Sequence, residues 1–323
     1  MADSSRKLIV LAAGVGTRSG DTRHVFAGFR GFMAAAGFAP SDFVEATYAG
    51  TYEAGRWVRP ADYDLSAFEA PLVTSIANCA EALWHEAQRR PPDAEWHLVG
   101  FSFGGVVLLE AAISLQRRAP DAWGHRLRTI TTLSSPLNGC SLGDLRWLGD
   151  LFGPGAVSRE LCALGDDPRH RQRLAAEVAA LRAAGVTVTT LAEADDAIVQ
   201  PADAIVGPVE PALVVECASS PSASVVARHL GHGRIVNEPF VWERLLALIG
   251  PQSAPAGERI GAAPGTAPPL VPRPTPPPSD AVLLTPPPAR ATRPLVTPPP
   301  RDEALLDQQL AALKARLRAE GRL

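Results

Sequence analysis

The stretch Trp96-His-Leu-Val-Gly-Phe-Ser-Phe-Gly-Gly-Val-Val107 decides how this chain is read. Its first half is an apolar run of strand type, and the rest opens a helical pattern over 103–118. Between them lies Gly100-Phe-Ser102-Phe-Gly104, a G-x-S-x-G in the strand–turn–helix setting that this motif requires. The spacing has a steric cause. A serine on a sharp turn between strand and helix leaves no room for side chains two positions away on either side. Its hydroxyl then stands over the sheet at the positive end of the following helix. Gly105 adds room for helix–strand packing. The plain alternative is a glycine-rich turn holding an inert serine.

Working outward, strand-like runs fall at Leu8–Ala12, Phe43–Tyr48, His97–Phe101, Thr129–Leu133, Val186–Leu191 and Leu213–Cys217. Helical patterns lie between them, at about 22–36, 66–90, 103–118, 171–184 and 239–249. Alternation of this kind predicts an α/β domain over 1–250 with a doubly wound, mostly parallel sheet. Ligands of such sheets sit at the carboxyl ends of the strands, so functional residues belong in the strand-to-helix turns.

A serine is a weak nucleophile until a base takes its proton and a third group orients that base. In the chain order Ser, Asp or Glu, His, the acid falls in Glu193-Ala-Asp-Asp196-Ala-Ile-Val-Gln-Pro201. Asp196, which opens D-x-I-V-x-P, is the preferred acid, and Asp195 beside it is the alternative. Of seven histidines, only His229 and His232 follow the acid. His232 is favoured, because Gly231 and Gly233 flank it and give a loop that swings an imidazole toward the serine. His229 stays open. The other five histidines read as surface or core residues, with His97 on the strand before the serine.

These residues resemble the α/β-hydrolase superfamily, and within it bacterial lipase- and esterase-like serine hydrolases. Beyond the serine turn, Thr132-Leu-Ser-Ser-Pro-Leu-Asn-Gly139 is similar to the strand end that follows the nucleophile helix in lipases. Asp196-Ala-Ile-Val-Gln-Pro201 resembles their acid loop, and His232-Gly-Arg-Ile-Val-Asn-Glu-Pro239 their histidine segment. The resemblance covers about 6–249 and implies a Ser102–Asp196–His232 triad hydrolysing carboxylic esters, small or lipid, through an acyl-serine. It also implies an oxyanion hole of two backbone N–H groups, from Phe103 and from the turn Ala13-Gly14-Val15, with Val15 the best candidate. Many relatives carry His-Gly at that turn, where this chain has Ala13-Gly14. A helical cap is implied at about 140–185, where Leu142, Leu145, Trp147, Leu148, Leu151 and Phe152 form an apolar-rich stretch. Neither a metal nor an organic cofactor is required.

Two other readings use the same residues. One is a thioesterase or acyltransferase acting on a carrier-bound acyl group; the other is a non-catalytic interaction module. Separately, Leu11-Ala-Ala-Gly14-Val-Gly16-Thr-Arg-Ser resembles the glycine loop of sugar-nucleotide nucleotidyltransferases. Phosphate chemistry there needs a nearby lysine, and none lies between Lys7 and Lys314.

Composition sets the remaining bounds. Apolar residues make up 46% of the 323 and charged residues 20%, which is ordinary for a globular protein with a core. A net charge of −3 gives no electrostatic ground for nucleic acid or an acidic membrane as partner. No apolar run reaches bilayer length and the start of the chain lacks a secretory pattern, so cytoplasm is expected. The scattered Cys79, Cys140, Cys162 and Cys217 read as buried thiols. Composition breaks near 250: 17 of 31 prolines lie in 251–300, with TPPP three times. That predicts a disordered polyproline linker over 251–301, spanning at most roughly 150 Å at about 3.1 Å per residue. Over 302–323, Leu306, Leu310, Leu313 and Leu317 form one stripe of an amphipathic helix suited to self-association or docking.

Overall fold

In the computed structural model, which describes residues 6–15, 20–53, 56–60, 70–140, 156–218 and 231–251, the sheet starts at β1 (Lys7–Ala12). There follow α1 (Asp21–Val25), α2 (Ala27–Ala35), β2 (Phe43–Glu45), β3 (Thr51–Glu53), β4 (Arg56–Val58) and α3 (Leu72–Arg89). The central unit is β5 (Glu95–Phe101), α4 (Phe103–Arg118), α5 (Pro120–Trp123) and β6 (Leu127–Leu133). The last part holds α6 (Ala156–Gly165), α7 (Pro168–Ala183), β7 (Thr187–Glu193), α8 (Pro201–Ala204), β8 (Val214–Val215) and α9 (Pro239–Ile249).

Among the described residues, six strands pair in the order β2-β1-β5-β6-β7-β8, all parallel. A parallel sheet is covered on both faces, so its strands are apolar without interruption. Leu8 to Ala13 are accordingly all fully buried. Alternate residues of β1 feed two cores. Leu8 and Val10 join Trp96 and Leu98 under α3, α4 and α7, where Leu83, Val107, Leu109 and Leu174 meet them. Ile9 and Leu11 join Val99 on the opposite face, under Phe29 and Met33 of α2 and Val241, Leu245 and Ile249 of α9. Each such side chain, fully buried, contributes about 1.5–3 kcal/mol. The expected α/β class and mostly parallel sheet with flanking helices are therefore present.

Several boundaries differ from the sequence reading, each for a local reason. The helix expected at 22–36 is broken at Phe26, whose φ of −100° and ψ of 20° turn its ring into the core. The strand expected to reach Tyr48 ends at Glu45. There Thr47 Oγ1 accepts the Ala49 N–H at 3.2 Å, a side chain competing with the ladder for backbone partners. The strand expected at Leu213–Cys217 keeps two residues, since a 3₁₀ turn at Pro211–Leu213 takes its start. The β3–β4 antiparallel pair was not foreseen, and its outer strand is exposed throughout. By contrast, α4 and α9 span the ranges their patterns predict. The tail (252–323) and residues 141–155 of the expected cap lie outside the described residues. The four cysteines form no disulfide; Cys79 is buried as expected, whereas Cys140, Cys162 and Cys217 are only partly buried.

Candidate active site

Ser102 sits alone between the end of β5 and the start of α4. Its φ of 53° and ψ of −130° lie where L-residues rarely go, a conformation costing about 1–3 kcal/mol. The Ser102 N–H donates to the Leu133 carbonyl at 2.9 Å, and the Ser102 carbonyl accepts the Gly105 N–H at 3.0 Å. Close packing explains the flanking glycines. A Cβ on Gly100 would lie 2.4 Å from Gly105 Cα, and one on Gly104 would lie 2.4 Å from both the Ala12 and Ala13 carbonyl oxygens. A Cβ on Gly105 would lie 1.9 Å from Ser135 Oγ, so the strand end after β6 also rests on this turn.

The loop after β7 brings in Asp196. Its carboxylate is buried, and Oδ1 accepts the Ile198 and Val199 N–H groups at 2.9 Å each. The loop thus folds back on its own first side chain. Oδ2 is left facing His232 Nδ1 at 2.7 Å. On the other edge of the ring, His232 Nε2 lies 2.9 Å from Ser102 Oγ. Gly231 and Gly233 have φ of 76° and 101°, so the histidine is carried between two left-handed residues. The Phe101 ring packs on the imidazole at 4.9 Å between centroids. Burial alone pulls His232 down, but the Asp196 charge and hydrogen bond, with help from Glu193, outweigh it and hold the ring above its ordinary 6.5.

The structure thus brings Ser102, Asp196 and His232 into one line. Asp195 points away, 62% exposed at its side chain, and pairs with Arg234 Nη2 at 2.9 Å. His229 lies outside the described residues. Phe103 opens α4, so its N–H belongs to the positive end of that helix. The Gly14 turn runs beside the serine: a Cβ there would sit 3.1 Å from Ser102 Cβ and 3.3 Å from Oγ. Of the glycine loop read against nucleotide binding, residues 16–19 are outside the described part. His97 is a core residue, facing Thr129 Oγ1 at 3.0 Å, its pKa lowered to about 3 by burial and then by Lys7 and Arg128. Among the described residues, no group of three or more His, Cys, Asp or Glu is placed to hold a metal. None of their helices is long and apolar enough to cross a membrane.

Three contributors went unassigned in the sequence. Tyr48 donates its hydroxyl hydrogen to the Ala13 carbonyl and packs its ring on Phe103, 5.3 Å between centroids. Glu193, fully buried, pairs with Arg234 behind the histidine loop. Tyr48 sits in an ordinary apolar run and Arg234 among loop residues, so no spacing marks them. Glu193 stands at the head of the acid phrase, three residues from Asp196, and that proximity was the one available signal.

No protein-family model and no curated protein sequence matches the chain. Among known structures, it is similar to phospholipase PlaB from Legionella pneumophila in complex with thio-NAD, at 12% identity and a TM-score of 0.50. That match covers 76% of this chain and 59% of the phospholipase, so the chain spans under two thirds of that protein's length. A cutinase-like protein from a Cryptococcus species matches at 12% identity and a TM-score of 0.41, covering 78% and 98% of the two chains. A lipase-esterase related protein from Clostridium acetobutylicum matches at 14% identity and 0.41, covering 76% and 95%. The first of these likenesses shows the fold alone, an α/β-hydrolase fold.

Proposed function

We propose that the chain is a serine ester hydrolase working through an acyl-serine, with Ser102 as nucleophile, His232 as base and Asp196 as the orienting acid. The observation that carries this reading is the pair of contacts at opposite edges of one ring, 2.9 Å to Ser102 Oγ and 2.7 Å to Asp196 Oδ2. A carboxylate only accepts, so His232 Nδ1 bears the hydrogen and Nε2 is left to take the serine proton. As Oγ attacks the ester carbonyl carbon, that proton passes to Nε2, and the imidazolium formed is stabilised by Asp196. Collapse of the tetrahedral intermediate expels the alcohol, which takes the proton from Nε2. Water then enters by the same base and releases the acid. The oxyanion is held by backbone N–H groups of Phe103 and Val15, each such donor contributing roughly 10²–10³ in rate. The fold shared with a phospholipase supports a carboxylic ester, small or lipid, as the substrate class.

The test is labelling of the full chain with a fluorophosphonate, together with turnover of p-nitrophenyl esters of graded acyl length. Wild type is expected to label once, at Ser102, and Ser102→Ala and His232→Ala not at all. A folded wild type that neither labels nor turns over any ester would sink the reading.

A further inference from the structure

Behind the histidine loop lies a second set of charges that the mechanism above does not use. Glu193 ends β7 with 0% of its surface exposed. Its Oε1 pairs with Arg234 Nε, and its Oε2 accepts the Ile235 N–H at 3.3 Å. The Glu193 N–H donates to Ser134 Oγ at 3.1 Å, which ties the main chain at Glu193 to the end of β6. Arg234 Nε also approaches the Gly231 carbonyl at 3.3 Å, while its Nη2 reaches Asp195. Gly231 itself is pressed against the backbone, since a Cβ there would lie 2.4 Å from the Asp195 carbonyl oxygen. These contacts hold positions 231, 234 and 235 and so straddle His232.

The need for such a brace is local. With left-handed glycines on both sides, residues 231–233 have unusual backbone freedom, and a mispositioned imidazole loses the serine contact. The charge is costly where it stands. A buried carboxylate beside Asp196 is a poor device for stability, because well-packed apolar groups often do as well. We propose that Glu193 and Arg234 are positioning residues that lock the 231–235 segment to the end of β7 and thereby set the His232 ring on Ser102. This rests on the hydrolase reading.

Glu193 is faced by Arg234 and the Ile235 N–H from the histidine segment, by Ser134 from the end of β6 and by Asp195 and Asp196 from its own loop. His232 and Cys217 lie within its field. Burial first, and Asp196 second, push its carboxyl up to about 7, against the pull of Arg234 and the Ile235 N–H. Acid therefore discharges the brace as pH falls through about 7, and it also protonates His232, which is held above its ordinary 6.5.

The experiment uses full-length chain and one chromogenic ester, with the fluorophosphonate labelling rate measured in parallel. Glu193→Gln keeps the shape and an acceptor for Ile235 but removes the charge. It is expected to lower kcat roughly ten- to hundredfold with KM within about twofold, the size of effect a small misplacement of a reacting group produces. The acid limb of kcat/KM is expected to change from a slope of about two protons to about one. Arg234→Met, at a side chain 9% exposed, removes the other half and serves if the buried variant fails to fold. Folded variants with wild-type kcat and labelling rate, or with an unchanged acid limb, overturn the brace while leaving the hydrolase reading intact. A wild type that never labels at Ser102 overturns both.

Discussion

The two sides of the site are held in place by different physics. On the Ser102 side, position is set by backbone against backbone: Gly100 on Gly105, and Gly104 on the carbonyls of Ala12 and Ala13. On the acid–base side it is set by side chains, with Asp196 capping its own loop and Glu193 and Arg234 pinning the histidine segment. Contact by backbone is insensitive to pH and salt but intolerant of one added methyl. Contact by charge accepts changes of shape and responds to protons. The division suits the proposed chemistry, in which the nucleophile needs a fixed place and the base needs a tuned affinity.

The largest effect expected is chemical. Ser102→Ala and His232→Ala should each lower kcat by roughly 10⁶ on an ester, with thermal stability near that of wild type. A loss smaller than about tenfold in either would mean that another residue carries the reaction. Next comes Asp196→Asn, which keeps the size of the side chain but changes the tautomer it selects, for about a 10⁴-fold loss in kcat. Its acid limb should move to lower pH, because burial then pulls on His232 with less opposition. An unmoved limb would argue that Asp196 does not set the imidazole.

On the backbone side, Gly104→Ala should cost about 1–3 kcal/mol or prevent folding, since the atoms it meets are main-chain atoms of Ala12 and Ala13 that cannot step aside. Denaturant melts measure this directly, and a wild-type midpoint would break the contrast drawn above. Glu193 makes a subtler prediction about stability. Its carboxyl is raised from the ordinary 4.5 to about 7, so the folded chain prefers the proton. That stabilisation is complete below 4.5 and is lost as pH rises through about 7. Melting temperature against pH should lose this component in Glu193→Gln. Smallest of all, Asp195→Asn, at a 62% exposed side chain, should change stability by under about 0.5 kcal/mol and activity little.

The same contrast explains what the sequence disclosed. A backbone constraint prints itself on residue type at fixed spacing, so Gly100, Ser102 and Gly104 were legible together with the helix that follows. Asp196 was legible because its capping partners are its immediate neighbours, Ile198 and Val199. Choosing it over Asp195 needed the direction of two adjacent side chains, which only the fold supplies. The Glu193–Arg234 pair spans 41 positions, and Tyr48 reaches Ala13 across 35. Neither pairing leaves a local pattern. The extent of β8, and the β3–β4 pair altogether, escaped for a related reason: with so few paired residues, neighbouring turns decide their ends.

Ser102 and His232 are 130 positions apart, whereas Asp196 and His232 are separated by 36. Closing the longer interval costs about 1 kcal/mol more in chain entropy, and it needs the central strands already paired. On the proposed reading, reactivity is therefore the last property the chain acquires as it folds. An incompletely folded molecule carries a serine with ordinary alcohol chemistry, so the rate at which probe labelling appears after dilution from denaturant times the completion of the fold.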